Sequence, residues 1–126
     1  WFGVNPNYRT VNAETEEKDP DSILHFYRRC LRLRKSSKVF LKGSYREYHS
    51  LSRRLYVYER SYEGTRALVI CSFSDRPAAC RLPRGYSHAG AEVILDNYRE
   101  EERRGDSGAR MRLRPYEVRV LQWGPA

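Results

Sequence analysis

The groups in this chain that could do chemistry are few in kind. Three histidines, His25, His49 and His88, are scattered along 126 residues, with no i, i+4 pair and no cysteine at ligand spacing. Metal sites gather such donors in clusters, so no metal ligand is assigned. Three cysteines, Cys30, Cys71 and Cys80, form no C-x-x-C pair, and an odd number cannot all be bridged. Free thiols in a reducing compartment are expected, which points to the cytoplasm. Cys71 and Cys80 could sit across neighbouring strands, although two small buried residues are the simpler reading. Among the carboxyl groups, Asp19 and Asp21 flank Pro20 at a helix start, Asp75 and Asp96 read as turn residues, and Glu100–Glu102 form a solvated run. A catalytic acid or base needs a cleft and a neighbour that moves its pKa, and none of these positions promises either. No catalytic residue and no cofactor-binding residue is therefore assigned.

Charge and aromatic content offer two other kinds of site. The net charge is +8, and residues 28–54 account for it, with ten bases against the single acid Glu47. Such a block suits nucleic acid or an anionic surface. It suits better the solvated side of a helix and the loop after it. Arg outnumbers Lys twenty to four along the whole chain, so arginine marks no single place and no nucleic-acid partner is expected. Tyr45/Tyr48 and Tyr56/Tyr58/Tyr62 form two ladders whose ring faces could stack on sugars. Cross-strand pairing in a sandwich is the competing reading.

These residues must be held by a fold. With 13% aromatic residues the chain is too rich in large apolar groups for a disordered tail. No apolar run approaches the roughly 20 residues of a spanning helix, so no membrane partner is expected. The chain opens on Trp1 without an initiator Met, as a piece of something longer would. Residues 1–18 show no helical or alternating pattern. Trp1, Phe2, Val4 and Tyr8 surround the turn Asn5-Pro6-Asn7, and that much apolar bulk calls for a surface to pack against.

Asp19-Pro20-Asp21-Ser22 predicts a helix start, with Asp19 as the cap and Pro20 in the first position. Ile23, Phe26, Tyr27, Cys30, Leu31 and Leu33 then recur at three- and four-residue spacing. They predict a helix over about residues 20–36 with a wide apolar face. After Ser36-Ser37 the period becomes two. Strands are predicted at Ser44–Tyr48, Arg54–Ser61, Arg66–Phe73, Ala78–Leu82, Glu92–Leu95, Ala109–Leu113 and Glu117–Trp123. Glu63-Gly64 should turn a hairpin, and Arg99–Gly108 should be an exposed loop. Many short strands separated by turns predict a mainly β, antiparallel sandwich or barrel.

The order of landmarks is itself informative. Val4-Asn5-Pro6-Asn7-Tyr8 precedes Val11-Asn12, then Asp19-Pro20-Asp21-Ser22-Ile23-Leu24, then Tyr27 and Leu33-Arg34-Lys35. Downstream come Val57-Tyr58-Glu59-Arg60, Tyr62-Glu63-Gly64, Leu68-Val69-Ile70, Ser72-Phe73-Ser74-Asp75 and Leu113-Arg114-Pro115-Tyr116-Glu117-Val118. Together they resemble the C-terminal part of glycoside hydrolase family 13, the α-amylase family, and within it the oligo-1,6-glucosidases and related α-glucosidases. One departure lies in Cys71-Ser72-Phe73-Ser74-Asp75, where such enzymes often carry Asn before the Phe.

The resemblance implies that residues 1–40 are the end of a (β/α)₈ catalytic barrel, a loop plus its last helix. It implies that residues 41–126 form a C-terminal antiparallel β-sandwich of Greek-key type. Barrels of this kind carry the active site at the C-terminal ends of their strands. Retaining glycosidases need two carboxyls about 5–5.5 Å apart, and the family motifs that supply them are absent from this chain. The segment alone is therefore expected to be inactive, a structural domain of a retaining α-glucosidase that hydrolyses short α-glucans. Its implied partner is the missing barrel, with oligosaccharide met only through the parent and a second copy as another cover for the N-terminal flank. An independent glycan-binding module using the exposed tyrosines is the alternative.

Overall fold

The computed structural model describes residues 2–48, 51–98 and 106–124. The chain divides into two compact units, Trp1–Ser36 and Ser37–Ala126.

The first unit is helical throughout. A 3-10 turn, Pro6–Arg9, opens it, with the Asn5 side chain accepting from Asn7 N. Helix α1, Ala13–Lys18, follows, capped by Asn12, whose Oδ1 accepts from Thr15 N at 2.9 Å. The same side chain donates from Nδ2 to Tyr8 O at 3.0 Å, tying turn to helix. The patternless stretch expected over residues 1–18 is thus corrected. A six-residue polar helix has no apolar period to read, and its cap and its Glu14–Lys18 pair at 2.9 Å support it instead.

Helix α2, Ile23–Ser36, begins later than the expected residue 20. Asp19 ends α1 rather than capping α2: its N–H donates to Glu16 O, and its Oδ1 accepts from Asp21 N. The free amides of α2 find other partners. Leu24 N donates to Glu16 Oε2 at 2.9 Å and His25 N to Ser22 Oγ at 3.3 Å, while Ser22 Oγ donates to Glu16 O at 2.7 Å. A carboxylate from the preceding helix therefore sits at the positive end of α2.

The second unit is a β-sandwich. Helix α3, Lys38–Lys42, leads into β1, Ser44–Tyr48. The other strands are β2, Leu55–Tyr62; β3, Thr65–Ser72; β4, Ala78–Arg81; β5, Glu92–Asp96; β6, Arg110–Leu113; and β7, Val118–Trp123. All pair antiparallel, in a five-stranded sheet of order β1-β2-β3-β7-β5 and a two-stranded sheet β4-β6. From β3 onward the chain passes from one sheet to the other at every connection, and β7 returns to lie beside β3. Glu63 and Gly64, with φ of 47° and 83°, turn the β2–β3 hairpin, since a two-residue hairpin needs left-handed backbone.

Alternation then assembles the core. Val57, Leu68, Ile70 and Leu121 from the large sheet meet Cys80, Leu82, Met111 and Leu113 from the small side, with Tyr86 at the edge. On the other face of the large sheet, α3 lies over β2 and β3, and Val39 is buried there. Arg60 fastens this helix, donating to Val39 O at 3.5 Å and Phe40 O at 3.2 Å. Helix α3 was not expected: five residues are too few to show a period. The loop expected over Arg99–Gly108 falls mostly outside the described residues. Among the described residues, no helix is long and apolar enough to cross a membrane.

Candidate functional site

The groups able to do chemistry are dispersed, with one exception. Three carboxylates, Asp96 at the end of β5, Asp106 before β6 and Glu117 before β7, converge on Arg119 of β7. Arg119 lies on the inward face with Leu121 and is 2% exposed. Its Nη2 and Nε donate to Glu117 Oε1 at 2.5 and 3.1 Å, and its Nη1 donates to Asp106 Oδ2. Asp96, its register partner, stands 3.7 Å from Nε. Burial opposes the charge on Arg119, but the bonds to Glu117 and Asp106 outweigh it and hold its pKa above the ordinary value. The second Glu117 oxygen accepts from Arg114 N at 2.6 Å, and Asp106 Oδ1 accepts from Arg112 N at 3.1 Å.

This cluster is an interlock. Asp106 ties the small sheet's β6 to a cation inside the large sheet's inner face. The carboxylates are engaged with one guanidinium rather than arranged as an acid and a nucleophile across a cleft. Asp96 is the turn residue expected, its Oδ1 accepting from Tyr98 N at 2.7 Å, and it is also more, because β5 extends through it to pair with Arg119. The sequence carries a signal for it: Arg119 interrupts the apolar face of Leu121 and Trp123, with an acid, Glu117, two residues earlier.

The remaining candidates fall apart in space. Asp19, Asp21 and Asp75 are exposed, and Glu100–Glu102 and His49 lie outside the described residues. The ring Nε2 of His25 lies 3.0 Å from Glu17 O. His88 is half-buried, and burial lowers its pKa. Cys71 is on β3 and Cys80 on β4, strands of different sheets, so the neighbouring-strand placement is corrected. Burial pushes both thiols up to about 11, out of the range of ready nucleophiles. Cys30 is half-buried on α2, its pKa also raised by burial. No group of three His, Cys, Asp or Glu side chains able to hold a metal occurs among the described residues.

The tyrosine ladders are rearranged by the pleat. Tyr45 and Tyr48 are three residues apart in β1, so they point to opposite faces. Tyr48 turns inward and donates from its hydroxyl to Glu59 Oε2 at 2.7 Å, with its ring 6.3 Å from Tyr86. Tyr45 turns outward onto the Tyr58 ring, 5.4 Å away, and Tyr58 lies 5.4 Å from Tyr56. The Tyr45 and Tyr56 hydroxyls bond at 2.9 Å, which raises the Tyr45 pKa. The outer set is thus Tyr45, Tyr56 and Tyr58, held by its own contacts. The basic block is likewise spread over α2, α3 and β1, with Arg28 on Glu17 at 2.7 Å and Arg46 over the Tyr48 ring at 5.2 Å.

Among the described residues, the first unit leaves a row of apolar side chains in water. Ile23, Tyr27 and Leu31, on successive turns of α2, are 80%, 61% and 38% exposed. Phe2, Val4, Tyr8 and Val11 are exposed as well, and no described apolar side chain before Val39 is buried. Trp1 lies outside the described residues.

The match to a known family runs past the first unit and through α3. Residues 1–43 match the family described as the alpha amylase catalytic domain. The oligo-1,6-glucosidase of Halalkalibacterium halodurans is 37% identical over 95% of this chain and 21% of its own length. That of Parageobacillus thermoglucosidasius is 32% identical over 97% of the chain and again 21% of its own. The trehalulose synthase from Pseudomonas mesoacidophila MX-45 superposes with a TM-score of 0.86 at 30% identity, over 97% of this chain and 21% of that one. The chain thus spans about a fifth of the length of the curated relatives it matches. In sequence and in fold it corresponds to the C-terminal part of an enzyme of the α-amylase family, glycoside hydrolase family 13, similar to the oligo-1,6-glucosidases.

Proposed function

We propose that this chain is the non-catalytic, structural C-terminal portion of a cytoplasmic α-glucosidase that hydrolyses short α-glucans by the retaining route. Residues 1–40 belong to the end of its barrel and residues 41–126 to the domain that flanks it. The observation that carries this reading is the exposed apolar face Ile23–Tyr27–Leu31 on a chain that matches a fifth of its relatives. Apolar surface is disfavoured in water by about 25 cal/mol per Å², so such a face asks for a neighbour, and a barrel's helical ring supplies one. Three free thiols fit a reducing compartment.

The test has two arms. The purified chain should release no glucose from isomaltose or maltotriose. A chimera of the Halalkalibacterium halodurans enzyme, its matching segment replaced by this chain, should fold and hydrolyse isomaltose. Glucose release by the chain alone, or an unfolded chimera, would overturn the reading.

A further inference from the structure

The connection from β6 to β7 is built to hold one aromatic ring out of the sandwich. Glu117 N donates to Arg114 O at 3.2 Å, closing a turn with Pro115 second and Tyr116 third. Tyr116 has φ 53°, a left-handed backbone that a β-carbon disfavours and that glycine or asparagine usually occupies here. Asn97 clasps the turn from the other side, donating from Nδ2 to Tyr116 O at 3.0 Å and accepting at Oδ1 from Val118 N at 2.8 Å. The Tyr98 hydroxyl donates to Pro115 O at 2.8 Å, and the Arg114 guanidinium lies 4.0 Å from the Tyr98 ring centre. Held in this way, Tyr116 is 60% exposed. Its N–H donates to Ser74 O at 3.1 Å, which sets the turn beside Phe73, 65% exposed.

A strained residue kept in place by this many bonds points to a function for what it displays. Large rings held in water by a fixed backbone want a cover, and a pre-ordered ring loses little freedom when it finds one. Three polar side chains beside the two rings are already engaged with the backbone. Asn97 uses both ends on the turn, Ser72 Oγ accepts from Ser74 N and Ser74 Oγ from Arg76 N. A sugar site needs such groups aimed at the ligand, so the tip favours an apolar protein surface.

We infer that Phe73 and Tyr116 form a docking tip for an apolar surface on the part of the parent enzyme that this chain does not span. The inference rests on the reading given under Proposed function. Its test is the double variant Phe73→Ser/Tyr116→Asn, made in the isolated chain and in the chimera. The isolated chain should keep its melting temperature within about 1 °C, because both rings are exposed and Asn accepts left-handed backbone. The chimera should lose at least about 3 °C. Equal shifts in the two would overturn the tip. So would a saturable Trp fluorescence response of the isolated chain to isomalto-oligosaccharide that the double variant abolishes, which would assign the tip to sugar. The unsubstituted chimera keeps the two readings apart: if it folds and hydrolyses isomaltose while the double variant melts with it, the tip alone fails. If it does neither, the parent reading fails and the tip with it.

Discussion

Arg119 and Glu117 stand two residues apart, both inside the sandwich, joined by two hydrogen bonds to a single carboxylate oxygen at 3.1 and 2.5 Å. Neither has water to fall back on, since Glu117 is fully buried and Arg119 nearly so. Removing one partner of such a pair leaves an unpaired buried charge, which costs about 3–5 kcal/mol. Arg119→Ala should therefore destabilise the chain by that order, and Asp106→Asn, on a more exposed partner, by less. Urea unfolding followed by tryptophan fluorescence measures both, and an Arg119→Ala loss smaller than that of Asp106→Asn would contradict the interlock.

Acid should loosen the same end of the sandwich. Burial depresses the His88 pKa below its usual 6.5, with Asp106 pulling it up and Arg119 pushing it down. The unfolded chain then binds the proton more readily than the folded one, so stability rises with pH through this range. The contribution of His88 should be complete above about pH 6.5 and lost as the pH falls below it. Unfolding midpoints at pH 7.5 and pH 5.5 should differ more for the wild-type chain than for His88→Gln. An identical difference in both proteins would remove His88 from the account.

The β2–β3 hairpin and the end of β7 approach each other closely. Gly124 has φ 97°, and a β-carbon there would stand 2.7 Å from Gly64 O and 3.1 Å from Thr65 Cα. Gly124→Ala should cost about 1–3 kcal/mol from backbone strain before the clash is counted. Gly85, with φ 90° and open space around it, should suffer only the backbone part. Thermal melts of the two alanine variants test the order.

Much of this fold could be read from the order of residues, for local reasons. Alternation places Val57, Leu68, Ile70 and Leu121 on one face and so defines seven strands within a residue or two of their ends. Glu63-Gly64 specifies its turn because the two residues alone determine it. Most misses have one of two causes, partners distant in sequence or a segment too short to show a period. Helix α1 is polar and six residues long, and the start of α2 depends on Glu16, eight residues before Leu24. The Arg119 interlock draws on Asp96 and Asp106, which read singly as surface residues. The inward turn of Tyr48, away from Tyr45, was available from the pleat.

Core and flank should answer differently to truncation. Leu68 is fully buried, and Leu68→Ala should cost about 2–5 kcal/mol in the isolated chain. Ile23 is 80% exposed there, and Ile23→Ser should stay within about 0.5 kcal/mol. A large loss for Ile23→Ser in the isolated chain would mean that the flank is already covered.

The most direct measurement is amide hydrogen exchange along α2, Ile23–Ser36, in the isolated chain and in the chimera with the Halalkalibacterium halodurans barrel. With its apolar face in water the helix should exchange fast alone, far ahead of β3, and become strongly protected once the barrel is present. Equal protection of α2 in both would show that the helix needs no barrel, and the structural role proposed for the chain would fall.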